Sequence, residues 1–314
     1  MKIMNRTFDK KYLAYLGLIF VILVWGVAPL ITLRFYQYYS PTIRIAFGDA
    51  ISILALLLIS AKKLHLLDKT YLKVAIPTGF FMALANILQK IGLQYTTPSH
   101  YAFLENLSCI AVPALLYFLI KKKPGALTVI AAALCLVSSF ILSGMSMKTD
   151  SVSAMGDLLC ALAGVLYGIN IAGTGAFARK FYAPLYLMIQ MATEFVVSLV
   201  GAWFLHGTGV ETVQFTMDVH LLLANAIFVL VSSTLCWVIR TNAMKHVDAT
   251  VVAVMMPFSS VVTTIASVIL GSDTLSWSLL IGALLGLVAI ILSGLGDKET
   301  KEPKPEKLQQ VNDI

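Results

Sequence analysis

Lys10-Lys11-Tyr12-Leu13-Ala14-Tyr15-Leu16-Gly17-Leu18-Ile19-Phe20-Val21-Ile22-Leu23-Val24-Trp25-Gly26-Val27-Ala28-Pro29-Leu30-Ile31-Thr32 sets two lysines against 21 residues, 12–32, that carry no charge. At 1.5 Å per helical residue such a run covers about 30 Å, the thickness of a bilayer's hydrocarbon core. Bulky residues follow Trp25-Gly26-Val27-Ala28-Pro29, so no small-x-small cleavage site is present, and the run reads as a retained first helix rather than a signal peptide.

The pattern recurs along the chain. Apolar runs of membrane length stand at 12–32, 41–60, 71–94, 98–120, 125–143, 156–178, 184–206, 219–240, 248–270 and 277–295. Of 314 residues 59% are hydrophobic and only 12% charged, about half the charged share of an ordinary soluble domain. Too little polar surface remains for a water-facing shell, and the apolar side chains must meet lipid.

The net charge of +7 comes from short gaps between runs rather than from a basic patch interleaved with aromatics, which argues against nucleic acid as a partner. Of 23 Lys and Arg, nineteen fall in alternate gaps, from Lys2 and Lys10 through Lys62, Lys121, Arg179, Arg240 and Lys245 to Lys307. Arg34 and Lys148 fall in the other gaps, while Arg44 and Lys90 lie inside runs. Positive charge stays on the cytoplasmic side, so both termini are expected there, in a bacterial plasma membrane. The expected fold is an all-α membrane protein of ten transmembrane helices in two inverted five-helix repeats, 1–146 and 147–296, followed by a disordered tail, 297–314.

The stretch Gly92-Leu93-Gln94-Tyr95-Thr96-Thr97-Pro98-Ser99-His100-Tyr101-Ala102-Phe103-Leu104, with Val112-Pro113, resembles a helical hairpin of the EamA family of drug/metabolite transporters. Trp25-Gly26, Pro41 with Arg44, Gly156-Asp157-Leu158-Leu159, and Asn242-Ala243-Met244 through Met256-Pro257 fit the same pattern. Two places depart from it: Gly271-Ser272-Asp273 and Lys121-Lys122-Lys123-Pro124 replace a Gly-Glu pair, and Glu105-Asn106 stands where relatives carry small residues. The resemblance implies two inverted repeats around a cavity lined by spans 1, 3, 4, 6, 8 and 9. It also implies transport of small organic solutes, commonly export, with amino acids or related metabolites as the family-level expectation.

An ionisable group at membrane depth is costly and marks a site or a compensating pair. Tyr101, Glu105 and Ser108 share one face of the fourth span, and Asn86, Gln89, Lys90 and Leu93 one face of the third. Lys90 and Glu105 lie at equal depth from the turn near Thr97, so they form either a solute site or a self-neutralising pair. Glu105, Asp49 and Glu194 are the candidate proton-coupling groups. Arg44 is expected to reach the outer headgroups, and Glu194, with Gln190 and Ser198 on its face, to bond a neighbouring helix. Tyr167, Asn170 and Thr174 on the sixth span, and Asn225 and Ser232 on the eighth, suit an uncharged or zwitterionic solute or serve as interhelical glue. Trp25 is an aromatic wall or an interfacial anchor, and Asp157 a helix cap. The candidate solute contacts are thus Glu105, Lys90, Tyr101, Asn86, Asn170, Trp25 and Tyr167.

No metal or cofactor is expected: Cys109, Cys135, Cys160 and Cys236 sit in apolar runs without ligand spacing. The sequon Asn106-Leu107-Ser108 lies inside a span and is discounted. No phosphate-binding loop of the Gly-x-x-x-x-Gly-Lys-[Ser/Thr] type and no His-Glu-x-x-His occurs, which disfavours ATP-driven transport and zinc hydrolysis. A membrane-embedded enzyme and a channel remain the alternatives, although a channel usually repeats one polar ring. Gly164-x-x-x-Gly168 and Gly282-x-x-x-Gly286 permit close helix packing, the second also a homodimer.

Overall fold

The computed structural model describes residues 2–96, 98–121, 123–142, 151–177, 179–270 and 277–299. The expected repeat boundary at 146/147, Lys148, Gly271-Ser272-Asp273 and the tail beyond 299 lie outside them.

Lipid offers backbone groups no hydrogen bonds, so apolar runs close their own as helices. They are α1 (Lys2–Phe35), α2 (Pro41–Ser60), α3 (Lys69–Tyr95), α4 (Pro98–Glu105), α5 (Ser108–Ile120), α6 (Ala126–Leu142) and α7 (Ser151–Phe177). The second half gives α8 (Ala183–Gly207), α9 (Val219–Val229), α10 (Cys236–Ala243), α11 (Ala249–Met255), α12 (Phe258–Ile269) and α13 (Trp277–Glu299). Local chemistry sets their starts. Proline opens α2, and the carboxylates of Asp68, Asp218 and Asp248 accept from first-turn amides of α3, α9 and α11.

Among the described residues, eight helical stretches are long and apolar enough to cross a membrane. Where the fifth and tenth spans are expected stand two shorter apolar helices, Ala126–Ile141 and Leu280–Ser293. The first of these rises only about 24 Å.

Three interruptions shape the interior. The rod formed by α4 and α5 breaks at Asn106-Leu107, where amides bond three residues back, Asn106 to Phe103 and Leu107 to Leu104. The rod formed by α11 and α12 breaks at Met256-Pro257, because Pro257 has no N–H to give Ala253. Cys109 Sγ donates to that freed carbonyl at 3.1 Å. A π-helical turn, Leu230–Leu235, joins α9 to α10.

In the packing α7 lies against α3, α4 and α5, while α1 lies against α10 and α12. Helices α2 and α8 pair, as do α6 and α13. Gly282-x-x-x-Gly286 is spent inside the chain: Ser138 Oγ donates to the Gly282 carbonyl at 2.6 Å, and a Cβ on Gly286 would lie 3.1 Å from the same oxygen. That face of α13 packs on α6. Leu54, Leu58, Trp203, Phe204, Ile227 and Leu284 face outward as lipid-contacting surface.

The two ends of the bundle differ. At the end holding residues 10–22, an apolar core of Ala14, Leu18, Val21, Leu116, Met244 and Val252 fills the space between helices. Basic loop residues gather there. His246 is held below its ordinary value first by burial and then by the charges of Lys10, Lys245 and Arg179, and Lys245 also feels Lys63. These loops belong to one of the two alternating sets read in the sequence.

At the opposite end the 36–40 loop is strapped to the 208–218 loop. Ser40 N donates to Gln214 O at 3.0 Å, Tyr39 and Phe215 form an antiparallel bridge, and Glu211 Oε1 accepts from Thr42 N at 3.0 Å and Thr42 Oγ1 at 2.9 Å. Glu211 thereby caps α2 from across the fold. Glu211→Ala should cost about 0.5–2 kcal/mol, the usual worth of an N-cap. The expected result is a lower melting midpoint in detergent and faster proteolysis within 208–218; an unchanged midpoint and cleavage rate would show the strap to be idle.

Candidate functional site

Six ionisable side chains reach one cavity of about 140 Å³ at mid-bundle: Arg44, Asp49, Lys90, Glu105, Glu194 and Arg240. They come from α2, α3, α4, α8 and α10. The volume suits a small solute and falls below the roughly 300 Å³ of a drug-sized pocket.

On one wall Glu194 Oε1 accepts from Asn86 Nδ2 at 2.5 Å, and the single Tyr167 hydroxyl proton is shared between Asn86 Oδ1 at 2.5 Å and Gln89 Oε1 at 3.0 Å. Helices α3, α7 and α8 are thus tied by one polar chain. Lys90 Nζ donates to Tyr101 OH at 3.0 Å. Glu105 senses Lys90 and Arg240 electrostatically but sits within ion-pair distance of neither among the described residues. The expected Lys90–Glu105 pair is therefore replaced by two groups that face the same space, the amine satisfied by a phenol. Equal depth is met; the ammonium simply finds a nearer acceptor.

Arg240 is the residue the sequence reading missed. Counted there as a loop cation, it is 2% exposed, stacks 3.9 Å over the Trp237 ring and donates to Asn170 Oδ1 at 2.9 Å. The helix simply continues one turn past the apolar run, to Ala243. Asn170 does not line the cavity; it holds Arg240 on one side and donates to Thr78 O at 3.0 Å on the other. Arg44 also departs from expectation. It is 7% exposed and borders the cavity beside the rings of Phe35 and Phe228, at 5.2 and 5.4 Å, instead of reaching headgroups.

The lining set is wider than spans 1, 3, 4, 6, 8 and 9. The second and seventh spans contribute Arg44 and Asp49, and Met191 and Glu194. Asp49 keeps one carboxylate oxygen buried without a partner, and the charge of Glu194 acts on it. Glu194 both bonds a neighbouring helix and lines the cavity. Gln190 serves packing alone, donating to Thr78 Oγ1 at 2.9 Å. Trp25 is a cavity wall, and its Nε1 donates to the Ser232 carbonyl in the π turn at 2.7 Å. Its ring lies 5.5 Å from that of Trp237, which in turn lies 6.3 Å from Tyr167.

Tyr101, Glu105 and Ser108 all line the cavity, as their shared face predicts. Asn106 is buried and donates to Ser139 Oγ at 2.7 Å and Ser260 Oγ at 3.0 Å, tying the break in one rod to α6 and α12. Asn225 is fully buried away from the cavity with both amide atoms unpartnered. Asp157 sits in the second turn of α7 and does not cap it; its carboxylate accepts from the Thr96 hydroxyl. Among the described residues no three His, Cys, Asp or Glu side chains converge as metal ligands.

The chain's relatives agree with this architecture. The model of the EamA-like transporter family matches residues 12–144 and 154–295. A protein of Archaeoglobus fulgidus described as an uncharacterized transporter is 23% identical over 291 residues, which cover 91% of this chain and 87% of that protein. A solved structure described only as "Crystal structure of protein" superposes with a TM-score of 0.74 at 17% identity, over 92% of this chain and 99% of that one, a likeness of fold alone. With two matched segments that together take in nearly every helix around the cavity, the chain belongs to the EamA-like transporter family, as a multi-pass membrane transporter.

Proposed function

We propose that the protein is a secondary carrier that moves a small organic metabolite, such as an amino acid or a related solute, out of a bacterial cell by alternating access. The observation that carries this reading is the cavity itself. Ionisable side chains from both halves of the chain converge at mid-bundle on a space that an apolar core closes at one end.

The reading includes ten crossings in two inverted repeats, the two shorter apolar helices completing the set, with both termini cytoplasmic. The packing supports it. Exchanging each span for the one five places on turns the contact of α7 with α3 into that of α10 with α1, and the contact of α7 with α4 and α5 into that of α1 with α12. The α2–α8 and α6–α13 pairs map onto themselves. Trp25-Gly26 and Tyr167-Gly168 play matching parts. Each aromatic hydrogen-bonds the third span of the other half, and each glycine admits that half's broken rod: Gly26 meets Val262, and Gly168 meets Ala111.

The breaks at Asn106-Leu107 and Met256-Pro257 lie at corresponding places, seven or eight residues into each rod. They are the hinges of this mechanism. Swinging α5 and α11 there would part the apolar core and open the cavity toward the residue 10–22 end. In proteoliposomes loaded with metabolites identified from overexpressing cells, flux should saturate with concentration and be accelerated by the same solute on the far side. Flux linear in concentration, with no such acceleration, would replace the carrier by a channel.

A further inference from the structure

Arg44 is a buried cation that forms no ion pair with a carboxylate among the described residues. Its Nε and Nη2 lie out of solvent without a hydrogen-bond partner. The side chain is 7% exposed yet borders the cavity. The neighbouring rings of Phe35 and Phe228, themselves 5.9 Å apart, lie 5.2 and 5.4 Å from the guanidinium, but rings accept no in-plane hydrogen bonds, so Nε and Nη2 stay unspent.

The surroundings add to the deficit. Arg44 stands in the first turn of α2, where the helix dipole is itself positive. Its electrostatic neighbours are two tyrosines, Tyr36 and Tyr101, and a second cation, Lys90. Glu105 acts on Lys90 and Arg240, and Glu211, engaged by Thr42 through Oε1 with Oε2 buried and unpartnered, acts on Tyr36. The Tyr36 hydroxyl beside Arg44 is a further buried donor without a partner. A guanidinium with unspent donors, a phenol and a nearby ammonium offer the donors of an oxyanion site, although Glu105 already acts on the ammonium and Glu211 on the phenol.

We infer that Arg44 and Lys90, with the buried Tyr36 hydroxyl behind Arg44, form an anion subsite at the α2 end of the cavity. It takes the carboxylate of the transported solute in the plane of the guanidinium. The inference rests on the carrier reading and narrows it to organic acid anions. Glu105, Arg240 and the two tryptophans are left to contact the rest of the molecule.

The test is calorimetric binding to the purified full chain in detergent, with acetate, butyrate and benzoate each set against its uncharged amide, and inorganic phosphate as competitor. A charge-assisted pair lost with the carboxylate corresponds to roughly tenfold or more in affinity. At least one acid should therefore bind that much tighter than its amide. Arg44→Gln should erase the difference, Arg44→Lys restore part of it, and Tyr36→Phe reduce it severalfold. Should Arg44→Gln not yield a monodisperse protein, the lysine and phenylalanine variants carry the comparison. Equal binding of acid and amide across all three pairs, or a preference that survives Arg44→Gln, overturns the inference. Displacement by phosphate as effective as by benzoate overturns the carboxylate assignment. Flux in vesicles separates the two readings: acid-selective binding without transport defeats the carrier and spares the subsite, while transport without acid preference does the reverse.

Discussion

Glu105→Gln should reduce solute flux roughly tenfold or more while leaving expression, membrane insertion and the melting midpoint near those of the parent. The substitution keeps the shape of the side chain and removes its charge. Glu105 ends α4 at the break in its rod, half-buried against the cavity, and both Lys90 and Arg240 sense its charge. Those cations stay tethered without it, Lys90 to Tyr101 and Arg240 to Asn170 and Trp237, so the fold keeps its contacts. What changes is the balance of charge met by a solute entering between them. Glutamine leaves two buried cations with one acid fewer. A solute that must exchange partners with that set during the conformational change then meets a site stuck in one of its arrangements. Flux measured against solute concentration decides the matter; an unaltered maximal rate and half-saturation would remove Glu105 from the transport cycle.

The sequence carried the helices and much of the cavity, and its failures have a common cause. Apolar length reports burial in lipid without ambiguity, because no other solvent tolerates Leu54, Leu58 or Trp203 on a protein's outside. Helical spacing likewise put Tyr101, Glu105 and Ser108 on one face, and all three line the cavity. A basic residue at the end of an apolar run is different, since the same letters describe a loop cation and a buried one. Arg240 and Arg44 were both read as surface charges for this reason. The signal that separates them is aromatic: Trp237 lies one turn before Arg240, and Phe35 precedes Arg44 in sequence, as partners for a cation do when water is absent. Spacing fixes depth and face but not which neighbour a face meets. That is why Lys90 was matched in depth to Glu105 yet bonds Tyr101; the second and seventh spans were missing from the lining because that set came from the family resemblance alone.

Gly164→Ala should destabilise the protein by about 1–3 kcal/mol, and Gly164→Leu should leave little folded material. A lone methyl in a helix ordinarily helps, since alanine is favoured over glycine by about 1 kcal/mol there. The sign reverses at Gly164 because its Cβ would run into the carbonyl oxygen of Leu104 and lie 3.1 Å from that of Glu105. Backbone cannot step aside as a flexible side chain does. Gly207→Ala, where nothing stands within 4 Å of the new methyl, is the matched control and should be neutral or mildly stabilising. Thermal unfolding of the two variants in detergent gives the comparison directly; a Gly164→Ala protein as stable as the control would show that α7 does not press on the break in the α4–α5 rod. The contact matters beyond stability. It holds α7 against that break with Tyr167, one turn further along the helix, in reach of Asn86 and Gln89. Forcing the helices apart there would shift the polar wall away from the segment carrying Glu105. If the two halves are inverted copies, Gly168→Leu and Gly26→Leu should both impair folding, the first through Ala111 and the second through Val262 and the Ser259 carbonyl. The crossings of α1 and α7 with their broken partners have no spare volume for either side chain. On the proposed carrier reading, that tightness would let a small rearrangement at Asn106 or Pro257 change which end of the cavity is sealed.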